Sequence, residues 1–165
     1  MVGRFGMFYS TAGQEWDAPA AAGPEHRAVK IEHIRAGKSQ GYLAYLDGKA
    51  VGWCNAAPRD SYAKVRRYKA ASDDTPAVGS IMCFVVAAPY RGRGVATALP
   101  SAACDGLREQ GLRLTEAYPT TKSPAEPHQV PWSAHNYHGP LEMYLKNHFT
   151  KHLELDGWAV VRKQL

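Results

Sequence analysis

The sequence predicts one α/β domain built on a mixed, mostly antiparallel central sheet flanked by helices. Three observations predict it. Tyr42-Leu43-Ala44-Tyr45-Leu46 and Val51-Gly52-Trp53-Cys54 flank Asp47-Gly48, two residues that tolerate the positive φ of a tight hairpin turn, so they read as an antiparallel pair. The uncharged run Ile81 to Val86 leads into the glycine-rich Arg91-Gly92-Arg93-Gly94-Val95-Ala96 and then into an apolar-periodic segment, Val95 to Leu107. That order is strand, turn, helix. Near the end, Phe149 to Leu155 and Trp158 to Arg162 form a closing pair of strands around Gly157.

At 165 residues the chain, 1–165, is the size of a single domain with one full core. Phe5 to Tyr9 is a candidate first strand, followed by a small-residue loop from Ala18 to Gly23. Glu25 to Ala36 reads as a helix because Ala28, Ile31 and Ile34 recur every third residue and Gly37 can stop it. Ala56-Ala57-Pro58-Arg59 ends the hairpin, and Tyr62 to Lys69, basic with two tyrosines, reads as a substrate-side loop before the loop Ser72 to Pro76. Gly79-Ser80 and Pro89 bound the central strand. Val95, Ala98, Leu99, Ala102 and Leu107 mark the buried face of the following helix, where Pro100 removes a backbone donor and predicts a kink. Thr120 to Trp132 carries Pro124, Pro127 and Pro131; a loop of that length is more than a connection and is expected to cover a site. Gly139-Pro140 opens a last helix, Leu141 to Asn147.

Composition excludes several classes and leaves others open. Lys+Arg 20 against Asp+Glu 15 gives a net charge of +5, which suits an anionic cofactor, a phosphate backbone or solubility alike. Cys54, Cys83 and Cys104 are odd in number and widely spaced, so they read as buried reduced thiols rather than a disulfide or zinc framework. The first residues lack the apolar length of a signal segment and no stretch approaches a membrane span, so a cytoplasmic protein is expected. Among the histidines His128, His135, His138, His148 and His152, only His148 and His152 have i, i+4 spacing, and there is no His-Glu-x-x-His string; no metal is expected.

The glycine turn carries the chemistry. Glycines let the backbone approach an anion and turn its N–H groups inward, while the helix behind adds free donors and the positive end of its dipole. Arg91 and Arg93 add countercharge. The turn is no P-loop, because Gly-x-x-x-x-Gly-Lys-Ser/Thr is absent, and a Gly-x-Gly-x-x-Gly fingerprint starting at Gly92 meets Thr97 at its last place.

Phe84 to Leu99, which contains the pattern Arg/Gln-x-x-Gly-x-Gly/Ala, resembles the acetyl-CoA-binding region of GNAT N-acetyltransferases. Met143-Tyr144-Leu145-Lys146-Asn147-His148-Phe149 resembles that family's Tyr-x-x-x-Gly-Phe segment, with His148 in the glycine's place, and Leu112 to Tyr118 resembles the strand between the two motifs. The resemblance implies a sheet splayed at its central strands, with acetyl-CoA as co-substrate. The backbone of Phe84 and Val86 would pair with the pantetheine arm, and Arg91, Gly92, Arg93, Gly94, Val95, Ala96 and Thr97 would wrap the pyrophosphate. Asn136, eight positions before Tyr144, resembles the asparagine that contacts the cofactor. Tyr144 stands at the position of the hydrogen-bond donor to the departing sulfur. Glu116 is the candidate base, with His128 and His135 next.

The expected reaction is direct attack of a primary amine on the thioester. The acceptor is expected to be a small molecule ahead of protein lysine; Trp53, Tyr62, Tyr68, Trp132 and Tyr137 could line its site. No nucleic-acid or membrane partner is expected, and homodimerisation is compatible with the sequence. A noncatalytic acyl-CoA sensor and a nucleic-acid-binding module are the rival readings.

Overall fold

A computed structural model describes residues 23–37, 39–62, 65, 77–121 and 136–165. In chain order the elements are α1 (Gly23–Arg35), β1 (Tyr42–Leu46), β2 (Lys49–Pro58), β3 (Val78–Val86), α2 (Val95–Glu109), β4 (Leu114–Ala117), α3 (Leu141–Lys146), β5 (Thr150–Leu155) and β6 (Trp158–Gln164). Among the described residues six strands form one sheet in the order β1-β2-β3-β4-β6-β5. Only β3 and β4 run parallel, joined by the α2 crossover; every other pair is antiparallel. The predicted first strand, Phe5 to Tyr9, lies outside the described residues, as do the loop Ser72 to Pro76 and most of Tyr62 to Lys69 and Thr120 to Trp132.

The hairpin forms as expected, with Asp47 at φ 49 and Gly48 at φ 73. β2 nevertheless runs on to Pro58, beyond the predicted end, because Gly52–Pro58 pair with Gly79–Val86 on the other side. β3 likewise starts at Val78, so Gly79-Ser80 lies inside the strand rather than before it. Small uncharged residues at Cys54, Ala56, Ala57 and Ser80 let this stretch be buried on both faces.

The core has two halves, one on each face. Leu99, Ala103, Cys104 and Leu107 of α2 pack with Tyr144, Phe149, Cys54, Ile81, Ala117 and Val161. The sequence neighbours of the last three, Met82, Tyr118 and Val160, join Ala57, Tyr62 and Val65 in the second cluster, as strand alternation requires. Two predicted helix faces are corrected. In α2 the buried residues are Leu99, Pro100, Ala103, Cys104 and Leu107, while Ala98 and Ala102 face out. In α1, Ala28, Ile31 and Ile34 are exposed, and Val29, Lys30 and His33 are the half-buried side; Lys30 lies over the Trp53 ring at 5.4 Å and bonds Ser39. Burial lowers the Lys30 pKa.

α2 runs as one helical element from Val95 to Glu109 with Pro100 buried inside it. Pro100 sits in its second turn, so the missing donor costs only the bond to Ala96. α3 is a short helix ended by Asn147, and His148 takes φ 62, the left-handed conformation that its motif position reserves for glycine. No helix among the described residues is long and apolar enough to cross a membrane.

Candidate active site

The glycine turn has the geometry that anion binding needs. Gly92 and Gly94 have φ 73 and 80, and Gly94 caps α2 with no side-chain hydrogen bond on the first turn. Thr97 and Ala98 donate to the Gly94 carbonyl at 2.9 and 3.0 Å, which leaves the Val95 and Ala96 N–H groups at the open end of the helix. A Cβ built on Gly92 or Gly94 meets nothing within 4 Å, so no packed side chain crowds the turn at either glycine. The two arginines flank it on the surface: Arg91 Nε donates to Val86 O at 3.1 Å and the Arg93 guanidinium lies 5.6 Å from the Tyr90 ring centre. An open helix N-terminus, left-handed glycines and two cations fit a pyrophosphate.

Beside the turn, β3 and β4 part. Their pairing covers only Val78–Ile81 against Leu114–Ala117. A bulge in the β2–β3 ladder, where Asn55 opposes Cys83 but Ala56 opposes Ile81, leaves Met82 as the extra residue and bends β3 away. Residues 136–140 fill the opening. Phe84 N–H donates to Tyr137 O at 2.8 Å, His138 Nδ1 bonds Met82 O, and Pro140 bridges Thr120 in parallel. Asn136 is anchored there too, its Oδ1 accepting from Thr120 Oγ1 at 3.3 Å. Gly139, at φ 86, is packed so closely that a Cβ would collide with Met143 Cε and lie 3.3 Å from the Phe84 ring. The segment is a turn in the splay, closed by Gly139 N–H donating to Asn136 O at 2.9 Å.

Tyr144 projects into this corner with no exposed surface. Its ring packs edge-on against Phe84 and Phe149, with centroids at 6.2 and 5.3 Å, and its hydroxyl donates to His138 O at 2.6 Å. Burial pushes the phenol pKa well above its ordinary value, so Tyr144 is a proton donor across the physiological range. The His138 ring must donate through Nδ1, since Met82 O can only accept, which fixes the Nε2 acceptor tautomer. Burial lowers the His138 pKa to about 4, against a contribution in the other direction from the Met82 bond.

The depressed value has a consequence for acid stability. Unfolding lets the imidazole regain its ordinary affinity for protons, so the folded state loses stability as pH falls from about 6.5 toward about 4. The loss attributable to His138 is expected to be about 3 kcal/mol, and His138→Gln should flatten it. Urea denaturation at pH 7 and pH 4.5 checks this; equal acid sensitivity in the variant would assign the effect elsewhere.

Glu116 is placed differently from the expected carboxylate in a partly apolar cleft. It is fully buried, with Oε1 accepting from Arg162 Nε at 2.8 Å and from Arg162 Nη2, and Oε2 accepting from Tyr118 OH at 3.0 Å and Arg59 Nη1 at 3.4 Å. Four donors fill the four acceptor positions of the carboxylate. Ser80 Oγ and Tyr118 OH, 3.1 Å apart, extend the network. The sequence reading missed Tyr118, Arg59 and Arg162; the i, i+2 spacing of Glu116 and Tyr118 on a strand was the one local signal for them.

His128, His135, Tyr68 and Trp132 lie outside the described residues. Trp53 is half-buried, Tyr62 is buried with its hydroxyl on Asn55 Oδ1 at 3.0 Å, and Tyr137 is half-buried with its ring 4.1 Å from that of His138. The three cysteines are free and buried, and burial raises Cys83 to about 12, which makes it a poor nucleophile. Among the described residues no three His, Cys, Asp or Glu side chains gather as a metal group; His148 and His152 are exposed.

Comparison with known proteins agrees with this geometry. The sequence model of the acetyltransferase (GNAT) family matches residues 8–127. Among curated proteins no sequence matches significantly. Among solved structures, the chain is similar to ribosomal-protein-alanine N-acetyltransferase from Brucella melitensis, with TM-score 0.55 and 15% identity over 86% of this chain and 78% of that one. It is also similar to the GNAT domain of S. lividans PAT, with TM-score 0.55 and 18% identity over 98% and 84%. Aminoglycoside acetyltransferase AAC(6')-Ib in complex with coenzyme A and kanamycin is a third, with TM-score 0.58 and 16% identity over 90% and 79%.

Proposed function

Since the chain belongs to the GNAT acetyltransferase family, whose acyl donor is acetyl-CoA, we propose that it transfers acetyl to a primary amine of a small molecule by direct attack on the thioester. The observation that carries the reading is the uncapped N-terminus of α2 behind two left-handed glycines, whose first turn is hydrogen-bonded at Thr97 O to Asn147, the residue that ends the Tyr144 helix. Bound acetyl-CoA supplies an acyl carbon with a thiolate leaving group. Val95 and Ala96 N–H with Arg91 and Arg93 hold its pyrophosphate, and Thr97 lies in the same first turn. Val86 and Phe84 offer backbone to the pantetheine arm, Phe84 by exchanging its bond to Tyr137 O, and Asn136 rides on the segment that gives way.

In this mechanism the amine lone pair forms the new C–N bond, the C–S bond breaks, and the amine proton leaves to solvent or a base. Tyr144 donates its hydrogen bond to the sulfur as charge builds there. An ordinary lysine-like amine, with pKa about 10.4, must shed its proton at a cost of about 4 to 5 kcal/mol at pH 7, so a less basic acceptor amine would react faster.

We assign Glu116 an anchoring role in place of the base expected from its strand position. A carboxylate holding two guanidiniums can take an amine proton only by releasing them. Glu116→Gln should therefore lower stability by about 3 kcal/mol, because it leaves buried arginine charge uncompensated, while kcat of the folded fraction stays within a few-fold. A kcat loss of about 10²-fold with unchanged stability would restore it as the base.

The half-buried aromatic ring of Tyr137 at the splay and the likeness to an aminoglycoside enzyme support a small amine acceptor. The likeness to a ribosomal-protein enzyme supports a peptide amine as the second reading. The proposal includes a cytoplasmic enzyme, one domain over 1–165, without nucleic-acid or membrane partners. Thiol release from acetyl-CoA across a panel of small amines and amine-terminated peptides tests it. Turnover with small amines is expected; turnover with peptides alone would move the acceptor class, and saturable binding without thiol release toward any amine would mark a sensor.

A further inference from the structure

α3 is six residues long, too short to hold its own geometry, so the position of its tyrosine depends on what ties the helix down. The residue that caps its C-terminus, Asn147, is that tie. The Asn147 Nδ2 group donates to Met143 O at 2.9 Å and to Thr97 O at 3.0 Å, while its backbone N–H donates to Tyr144 O at 2.9 Å. Thr97 belongs to the first turn of α2, the turn whose free N–H groups face the anion site. Pro100 weakens that same stretch of α2 from within by withholding a donor from Ala96, so an outside bond to the next carbonyl matters more here than in a regular helix. One carboxamide thus joins the helix of the phosphate turn to the helix of the phenol.

We propose that Asn147 is a positioning residue which sets the span between the pyrophosphate turn and the Tyr144 hydroxyl, so that a cofactor held at one end presents its sulfur at the other. The inference rests on the acetyl-CoA reading above and adds to it a residue outside the two expected contact sets. It requires both donors of the amide. An isosteric carboxylate in its place would fill the same space and repel both carbonyls.

The test uses the full chain with coenzyme A and compares Asn147→Asp and Asn147→Ala with the wild type, each first shown to be folded by circular dichroism. Three quantities are read: coenzyme A affinity by calorimetry, the pKa of the bound cofactor thiol from thiolate ultraviolet absorbance, and kcat with an amine found in the screen. In the wild type the bound thiol should titrate below the free value of about 8.5, because a phenol donor favours the thiolate. In both variants it should return toward the free value, and kcat should fall about 10-fold or more, while affinity stays within about three-fold. A merely structural asparagine would lower the melting temperature and leave the thiol pKa of the folded complex unmoved, and that outcome overturns the proposal. Affinity falling as far as kcat would also overturn it, by making Asn147 part of the phosphate turn alone. A wild-type thiol that titrates as in free solution would remove Tyr144 from the sulfur, ending this inference together with that part of the mechanism while leaving pyrophosphate binding intact.

Discussion

Gly94→Glu is expected to abolish detectable acetyl-CoA binding while leaving a folded protein. Gly94 sits at φ 80, a conformation that costs a side-chain-bearing residue about 1 to 2 kcal/mol. The added carboxylate would stand within a few ångströms of the pyrophosphate, where like charges repel by about 1 to 4 kcal/mol per pair at surface dielectrics. Against the two phosphates this repulsion reaches a loss of about 10²-fold or more in affinity, while the backbone strain is common to the free and the bound protein. Because a Cβ at Gly94 meets no atom within 4 Å, the substitution does not force the packed core, and the backbone strain is the main cost to stability. Calorimetric titration of the variant with acetyl-CoA checks the effect, with Gly94→Ala as the control that carries the strain without the charge. Arg91→Ala should weaken binding less, since the backbone donors remain, and more at low salt than at high. A folded Gly94→Glu protein with wild-type affinity would remove the turn from the cofactor site.

Features fixed by local conformational need were the legible ones. The hairpin and the glycine turn between β3 and α2 were legible as local structure because Asp47-Gly48, Gly92 and Gly94 all occupy positive φ, which few residues tolerate. The Tyr144 helix was found by its motif, although His148 holds the strained position in place of glycine. Strand ends were misjudged at Gly79 and at Ala56-Ala57 because small residues, read as punctuation, serve here as thin packing between two covered faces. In α1 the spacing of three picked the exposed side, since the buried side is carried by Val29, His33 and the stem of Lys30 rather than by isoleucines.

The site's partnerships had no local signature at all. Glu116 meets Arg162 and Arg59 at separations of 46 and 57 residues, and His138 meets Met82 at 56. A carboxylate on a central strand is read from sequence as available, because the cations that claim it come from the neighbouring strand β6, far along the chain, and from the turn after β2. The filling of the splay by residues 136–140 was hidden for the same reason. Gly139-Pro140 does precede α3, as its composition suggests, but Gly139 is also needed where the backbone presses against Met143 and Phe84, a contact that exists only once the sheet has formed.

Tyr144→Phe should lower kcat by roughly 10 to 10³-fold and leave the Kd of acetyl-CoA within a few-fold. The ring's contacts with Phe84 and Phe149 survive the change, so the cofactor wall keeps its shape. Only the hydroxyl is lost. In the structure it donates to His138 O, and removing that bond costs about 1 kcal/mol of stability, too little to unfold a domain of this size. During turnover the same proton is to be turned toward the sulfur, whose charge exists only as the C–S bond breaks, so its loss is felt in the transition state and not in ground-state binding. Because burial holds the phenol protonated well past its usual range, the deficit should be constant from pH 6 to 9 rather than vanish on the alkaline side. Single-turnover acetyl transfer measured across that range, beside calorimetric cofactor binding, separates the possibilities. A rate deficit that disappears at high pH would mean that the hydroxyl acts by titrating, and wild-type rates throughout would leave Tyr144 a packing residue between Phe84 and Phe149.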